Sequence, residues 1–111
     1  MSDFPGKGKV AVIKTTPDTV LTDIQQVMKL ANFEQALPKD KTTGIKINIS
    51  WQTWYPACSS TPWQIEGVVQ TLQKAGYSDL VGIHNDTVVV DTSVGEVNNK
   101  HRYVTDKYGI P

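Results

Sequence analysis

The sequence predicts an α/β domain with a three-layer architecture, in which helices cover both faces of a mostly parallel sheet. Short apolar runs of strand length alternate along the chain with longer segments of helical periodicity, as in β-α-β units. One run departs from this pattern, because residues 43–50 place isoleucines on one side and polar residues on the other. Strands buried between helical layers are usually apolar on both sides, so the polar side indicates an edge strand or a binding site.

The first two predicted elements are a strand and a helix. Lys9–Lys14 is apolar at its interior positions, which predicts a central strand after a flexible tail at residues 1–8. Thr22 and Gln25 have the spacing of a capping box and predict the start of the first helix. Residues 43–50 are then predicted to form the second strand.

Stronger signals define the second helix, which follows a long loop. Thr61 is expected to cap it, with Pro62 at its first position and Gln64 completing a capping box. Lys74 and Gly76 are typical of a helix end.

The third strand is predicted at Leu80–His84, and a third helix near Ser93. We expect a short apolar run, Val88 to Val90, to be either an extra strand or a loop. The order β-α-β-α-β-α describes a single domain over residues 9–111, which we expect to be the front part of a larger domain.

Composition excludes several classes of function. Eleven basic residues balance 11 acidic ones, with no basic patch, so nucleic acid is not an expected partner. No apolar run reaches the roughly 20 residues of a membrane helix, and the first residues lack the apolar core of a secretory signal. The single cysteine, Cys58, excludes an internal disulfide and a cysteine-ligated cluster. We therefore expect a cytoplasmic protein with no cofactor held within this chain.

Candidate site residues gather at the predicted carboxyl ends of the strands, where ligands bind in open α/β sheets. A lysine could bind an anion or act as a base, hydroxyls at a helix start could donate to an anion, and a histidine with an aspartate could form a base with its orienting carboxylate. Exposed edge residues, ordinary capping and a simple turn are the structural alternatives. The candidate ligand-binding residues are Lys46, Asn48, Ser60, Thr61, His84 and Asp86.

Aromatic residues are concentrated in the loop after the second strand. Trp51, Trp54, Tyr55 and Trp63 could stack on a flat ligand, dock a partner, or close the core beneath the loop.

Several of these segments resemble the uncharacterised domain-of-unknown-function 362 family. The resemblance lies in Lys46-Ile47-Asn48 within a strand, Ser60-Thr61-Pro62 at a helix start, a helix ending Lys74-Ala75-Gly76, and a strand ending in Asp86. The chain departs from the family pattern at Ile47, at Ser60 and around His84-Asn85-Asp86. The resemblance implies the leading part of a redox-associated domain whose relatives often carry iron–sulfur clusters in a separate module.

Three functions follow as hypotheses. The first is a domain that binds a small anion or positions a substrate. The second is an enzyme with Lys46 or His84 as base. The third is an interaction or structural module that docks through its aromatic loop, with a second copy or the remainder of the domain as partner.

Overall fold

The computed structural model describes residues 3–85 and 90–111, which form a mixed α/β structure with a two-stranded parallel sheet. The elements in chain order are α1 (Val20–Leu30), α2 (Phe33–Ala36), β1 (Thr43–Lys46), α3 (Pro62–Lys74), β2 (Leu80–Ile83), α4 (Thr92–Asn98) and α5 (His101–Tyr108). None of the helices formed by these residues combines the length and hydropathy that a membrane crossing requires.

The sheet pairs β1 with β2 in parallel, with Thr43 opposite Leu80 and Lys46 opposite Ile83. This confirms the parallel pairing predicted for the second and third strands. The ladder continues one step past β1, where the backbone N–H of Ile47 donates to the carbonyl of Ile83 at 2.8 Å. The carboxyl ends of both strands therefore lie side by side.

The predicted strand at Lys9–Lys14 is wrong, because the structure has neither strand nor helix there. Ala11 and Ile13 are half-buried, but Val10 and Val12 are 88% and 79% exposed. An apolar run predicts a central strand only if both faces are covered, and here one row of side chains faces solvent.

The core lies on one side of the sheet. Ile47, Ile49 and Leu80 pack with residues of α3 and with Val104 of α5. The helix α1 packs on α3, where Gly67 lies against Ile24. The other side of the sheet, which carries Lys46 and Ile83, is exposed.

Helix α3 begins and ends as its sequence predicts. Thr61 accepts from the backbone N–H of Gln64 at 3.3 Å, and the Gln64 side chain accepts from the Thr61 N–H at 3.0 Å, which completes the capping box. At the other end Gly76 has a φ of +95°, a conformation that favours glycine, and the Tyr77 N–H donates back to Leu72.

The other predicted helices differ from expectation. α1 begins at Val20, two residues before Thr22, and its N-cap Thr19 makes no side-chain capping bond. The predicted third helix is two helices, because Lys100 adopts a left-handed conformation with a φ of 62°. Within this segment His101 and Val104 are buried, whereas Val97 is exposed. Val88 and Val89 lie outside the described residues, and Val90 packs half-buried against the core.

Candidate functional site

The alternation predicted for residues 43–50 is present. Ile47 and Ile49 are buried, while Lys46 and Asn48 are exposed on the opposite side. The Lys46 ammonium donates to the carbonyl oxygen of Ile47 at 3.3 Å. Lys46 is thus an exposed cation, unlike the desolvated lysine that base catalysis needs.

Hydrogen bonds attach the long loop to the end of β1. The Asn48 backbone N–H donates to Ser60 Oγ at 2.9 Å, and the Ser60 N–H donates back to the Asn48 carbonyl at 2.9 Å. The Ser50 N–H donates to Ser59 Oγ at 3.1 Å. Asn48 and Ser60 therefore lie together, and the hydroxyls of Ser60 and Thr61 accept structural hydrogen bonds.

His84 lies on the buried side of the sheet, in contact with α4. Its Nε2 is 3.1 Å from Glu96 Oε1, and the other oxygen of Glu96 accepts from Arg102 Nη2 at 2.8 Å. The hydrogen bond from Arg102 is the main cause that lowers the pKa of Glu96 below its usual value. Glu96 is therefore a carboxylate that holds an imidazole on one side and a guanidinium on the other.

These three residues line a cleft of about 370 Å³, called here the His84 cleft. Its volume is in the range typical of small-molecule sites. The cleft is lined by two isoleucines that follow β1 and by several polar residues: Ile47, Ile49, His84, Glu96, His101 and Arg102. The predicted site residues therefore divide, with His84 in the cleft and Lys46 and Asn48 on the other side of the strand. Asp86 lies outside the described residues.

His101 is a buried residue of the cleft wall and is only 1% exposed. Its Nε2 lies 2.5 Å from the carbonyl oxygen of Ser60. Burial lowers the pKa of His101 below its usual value, so the ring is neutral near pH 7. Its Nδ1 is also buried and has no hydrogen-bond partner among the residues that the structure describes.

The aromatic loop exposes much of its side-chain surface. Trp54 and Tyr55 are 56% and 67% exposed, and Trp63 at the start of α3 is 49% exposed. They line a groove of about 190 Å³ together with Pro56 and Pro62. Cys58 in the same loop is half-buried. Within residues 3–85 and 90–111, no group of three histidine, cysteine or acidic side chains is placed to hold a metal.

Sequence reasoning missed Glu96 and Arg102. Glu96 lies three residues after Ser93, near which the third helix was predicted to start, but Asp91 caps α4 instead and accepts from the Val94 N–H at 3.1 Å. One signal was available for Arg102, because it is the only arginine in the chain. Its partner was not deducible, since residues six apart do not face each other on one continuous helix.

Comparison with protein-family models, with curated proteins and with solved structures gave no match.

Proposed function

We propose that this chain is a small-anion-binding α/β domain and that the anion binds in the His84 cleft. The observation that carries the proposal is the Glu96–Arg102 pair in a cleft at the carboxyl ends of two parallel strands. That is the position where open α/β sheets bind ligands.

Arg102 is the group in the cleft best suited to an anion. A guanidinium has five N–H donors, and Glu96 engages one nitrogen of Arg102. The Arg102 side chain is about half exposed, which leaves donors on its outer edge accessible to a carboxylate or phosphate. Because Glu96 holds the guanidinium, less side-chain entropy is lost when an anion binds.

The apolar floor strengthens this interaction. Ile47 and Ile49 are buried beneath the cleft, so an anion bound there is partly removed from water. Charge–charge attraction increases as the effective dielectric constant falls. By contrast, an anion beside Lys46 would stay in open solvent.

A charge-removal experiment tests this site. Acetate and inorganic phosphate are titrated into the protein, and backbone amide shifts are followed by NMR. Arg102→Gln should weaken binding by about tenfold, which is the effect expected for one lost charge-assisted hydrogen-bond pair. Lys41→Gln is the matched control, because Lys41 is exposed at the opposite end of β1. Equal binding by Arg102→Gln and the unmodified protein would rule out this site. Loss of binding in Lys46→Gln alone would move it to the outer face.

An enzyme with His84 as base is a second candidate. The observation in its favour is the His84–Glu96 contact, because a carboxylate can orient an imidazole and stabilise its protonated form. Nitrogen-15 NMR of the histidine rings in Glu96→Gln would test the contact, because loss of the carboxylate should change the chemical shift of His84 Nε2. An unchanged His84 Nε2 shift would remove this support.

The aromatic loop supports an interaction function. Exposed tryptophan and tyrosine are common at the centres of protein interfaces. Self-association that Trp54→Ala abolishes, measured by sedimentation, would favour this function over ligand binding.

The broader setting of the domain is also proposed. The exposed outer face of the sheet, with Ile83 and Lys46, is where a second helical layer of a larger three-layer domain would pack. The resemblance to the domain-of-unknown-function 362 family suggests a cytoplasmic, redox-associated protein whose iron–sulfur cluster would lie in another module. Gene context and the adjoining coding sequence would test both.

A further inference from the structure

Residues 9–14, called here the 9–14 segment, leave most of their backbone hydrogen-bonding groups without partners in the fold. No N–H or C=O of residues 10–14 bonds to the backbone of another residue in the described parts of the chain. Exposure nevertheless alternates as in a strand, because Val10 and Val12 face solvent while Ala11 and Ile13 are half-buried. The segment therefore has the side-chain pattern of a strand without the ladder of hydrogen bonds that a strand makes in a sheet.

Unpaired backbone groups of this kind favour the addition of another strand. A row of free N–H and C=O groups is a template on which an extended chain can pair. Recognition by strand addition gains affinity from main-chain hydrogen bonds and specificity from pockets that receive alternate side chains. Val10, Val12 and Ile13 are β-branched and have high strand propensity. The 9–14 segment thus meets the first requirement, a free backbone edge formed by strand-favouring residues.

A cavity beside the segment meets the second requirement, a pocket for side chains. It has a volume of about 710 Å³ and is lined by residues 9–12 and by residues at the end of α1. Its helical wall is apolar at Leu30 and Ala31, and Leu30 is 66% exposed. Burial of such apolar surface by a ligand is favourable. An extended chain that pairs with the segment would bring every second side chain to this cavity.

Charge identifies the kind of chain that fits. Lys9 and Lys14 lie at the two ends of the segment, are exposed, and form no ion pair with a described residue. The acidic residue beside the segment, Asp23, instead accepts hydrogen bonds from Thr15 at 2.7 Å and Thr19 at 2.6 Å. A second copy of the segment would add two more lysines to the pair of strands, and like charges on neighbouring strands are destabilising. The complementary ligand is an apolar strand with an acidic residue near each end.

We propose that the 9–14 segment is a docking site for an extended, acidic segment of a partner protein, which pairs with it as an added strand. The apolar side chains of the partner pack against Val12 and Leu30, and its carboxylates pair with Lys9 and Lys14. The site shares no lining residue with the His84 cleft, so the inference does not depend on anion binding there.

Three blocked seven-residue peptides test the proposal by titration. The acidic peptide alternates three valines with two threonines between a glutamate at each end. The basic peptide has lysine in place of both glutamates, and the proline peptide has proline in place of both threonines. We expect the acidic peptide to bind about tenfold more tightly than the basic one, because two attractive contacts replace two repulsive ones. The proline peptide should not bind, because proline lacks the N–H that strand pairing needs. Equal binding by the acidic peptide and either of the others would overturn the proposal.

Amide hydrogen exchange in the unmodified protein reports the geometry of binding. Strand pairing on one edge engages the amides of every second residue. The acidic peptide should therefore slow exchange by about tenfold or more at Ala11 and Ile13, or else at Val10, Val12 and Lys14. Uniform slowing, or no slowing, would contradict strand addition. Slowing of the same amides as the protein concentration rises without peptide would identify a second copy as the occupant and overturn the proposed partner.

Ala11→Pro and Val12→Pro are a matched pair of variants. Each removes an N–H that has no backbone partner in the free protein, so the midpoint of thermal unfolding should stay close to that of the unmodified protein. Only the variant whose amide lies on the paired edge should lose affinity for the acidic peptide, by about tenfold. Equal affinities of the two variants would rule out pairing on one edge.

A second pair of variants tests the charge contacts. Lys14→Gln should weaken binding of the acidic peptide by about threefold, which is the effect of one exposed ion pair. Lys74→Gln is the control, because Lys74 is exposed in the last turn of α3 and lines no part of the cavity beside the 9–14 segment. An equal loss of affinity in both variants would show that the peptide responds to overall charge and not to this site.

Discussion

A close helix contact, between Gly67 of α3 and Ile24 of α1, gives a specific prediction about stability. A Cβ built on Gly67 would lie 2.7 Å from Ile24 Cδ1, 2.9 Å from Ile24 Cβ and 3.0 Å from Ile24 Cγ2. The Cδ1 methyl can rotate away, but the Cβ moves only if the backbone of α1 moves. Gly67→Ala should therefore push the two helices apart.

Two opposing effects set the magnitude. Overpacking of this kind costs roughly 1–3 kcal/mol. Replacing a helical glycine by alanine recovers about 1 kcal/mol of helix propensity. We expect a net loss of about 1 kcal/mol in the free energy of unfolding, which corresponds to a fall of about 4–8 °C in the midpoint of thermal unfolding for a domain near this size.

Urea unfolding followed by circular dichroism measures the loss. The pair Gln26→Gly and Gln26→Ala, on the exposed face of α1, calibrates the propensity gain without any packing change. Ile24→Ala should cost less in the Gly67→Ala background than in the unmodified protein, because two of the three close contacts disappear with it. If Gly67→Ala is instead more stable by the full propensity gain, α1 does not pack on α3 at this distance.

Two further predictions concern the cap of α3 and acid stability. Thr61→Ala should lower the free energy of unfolding by about 1 kcal/mol, because the N–H of Gln64 loses its acceptor. Thr22→Ala in α1 is the control in the same urea experiment, because the exposed Thr22 hydroxyl donates to the Thr19 carbonyl and accepts no backbone N–H. Glu66 accepts hydrogen bonds from Lys107 at 2.7 Å and Tyr108 at 2.8 Å, and the Lys107 contact is the main cause that lowers its pKa from 4.5. This stabilisation is fully present above pH 4.5 and is lost as the pH falls through the lower folded-state pKa. Glu66→Gln should therefore flatten the decline in stability below pH 4.5. Glu34→Gln, which breaks an exposed pair with Lys39, should not change this decline. Parallel declines in both variants would contradict the assignment to Glu66.

The parts of the fold that the sequence predicted well are those with local causes. Thr61, Pro62 and Gly76 each act on the backbone within a few residues, so α3 could be placed from its own segment. The alternation in residues 43–50 likewise reflects which face of a strand is covered. Such signals need no knowledge of distant contacts.

The errors in predicting the structure arose where contacts between residues far apart in sequence determine the local conformation. Lys9–Lys14 has the composition of a central strand, but its valines are exposed, and nothing within those six residues shows which face will be covered. Arg102 meets Glu96 because the chain breaks between α4 and α5 at Asn99 and Lys100. That break is stabilised by the Asn99 side chain, which donates to the carbonyl of Trp51 at 3.0 Å, a contact 48 residues away in sequence.

The same long-range contacts decide which side of β1 is the better candidate for binding. The outer side offers Lys46, but an exposed ammonium competes with water and with salt, so a single contact there adds little affinity. The inner side combines a guanidinium held by Glu96 with an apolar floor formed by Ile47 and Ile49. Electrostatic and hydrogen-bonding groups contribute most where they are partly desolvated and already oriented. The geometry therefore favours the His84 cleft over the outer side of the sheet around Lys46 as the anion site. Comparing the anion affinities of Arg102→Gln and Lys46→Gln distinguishes the two sites directly.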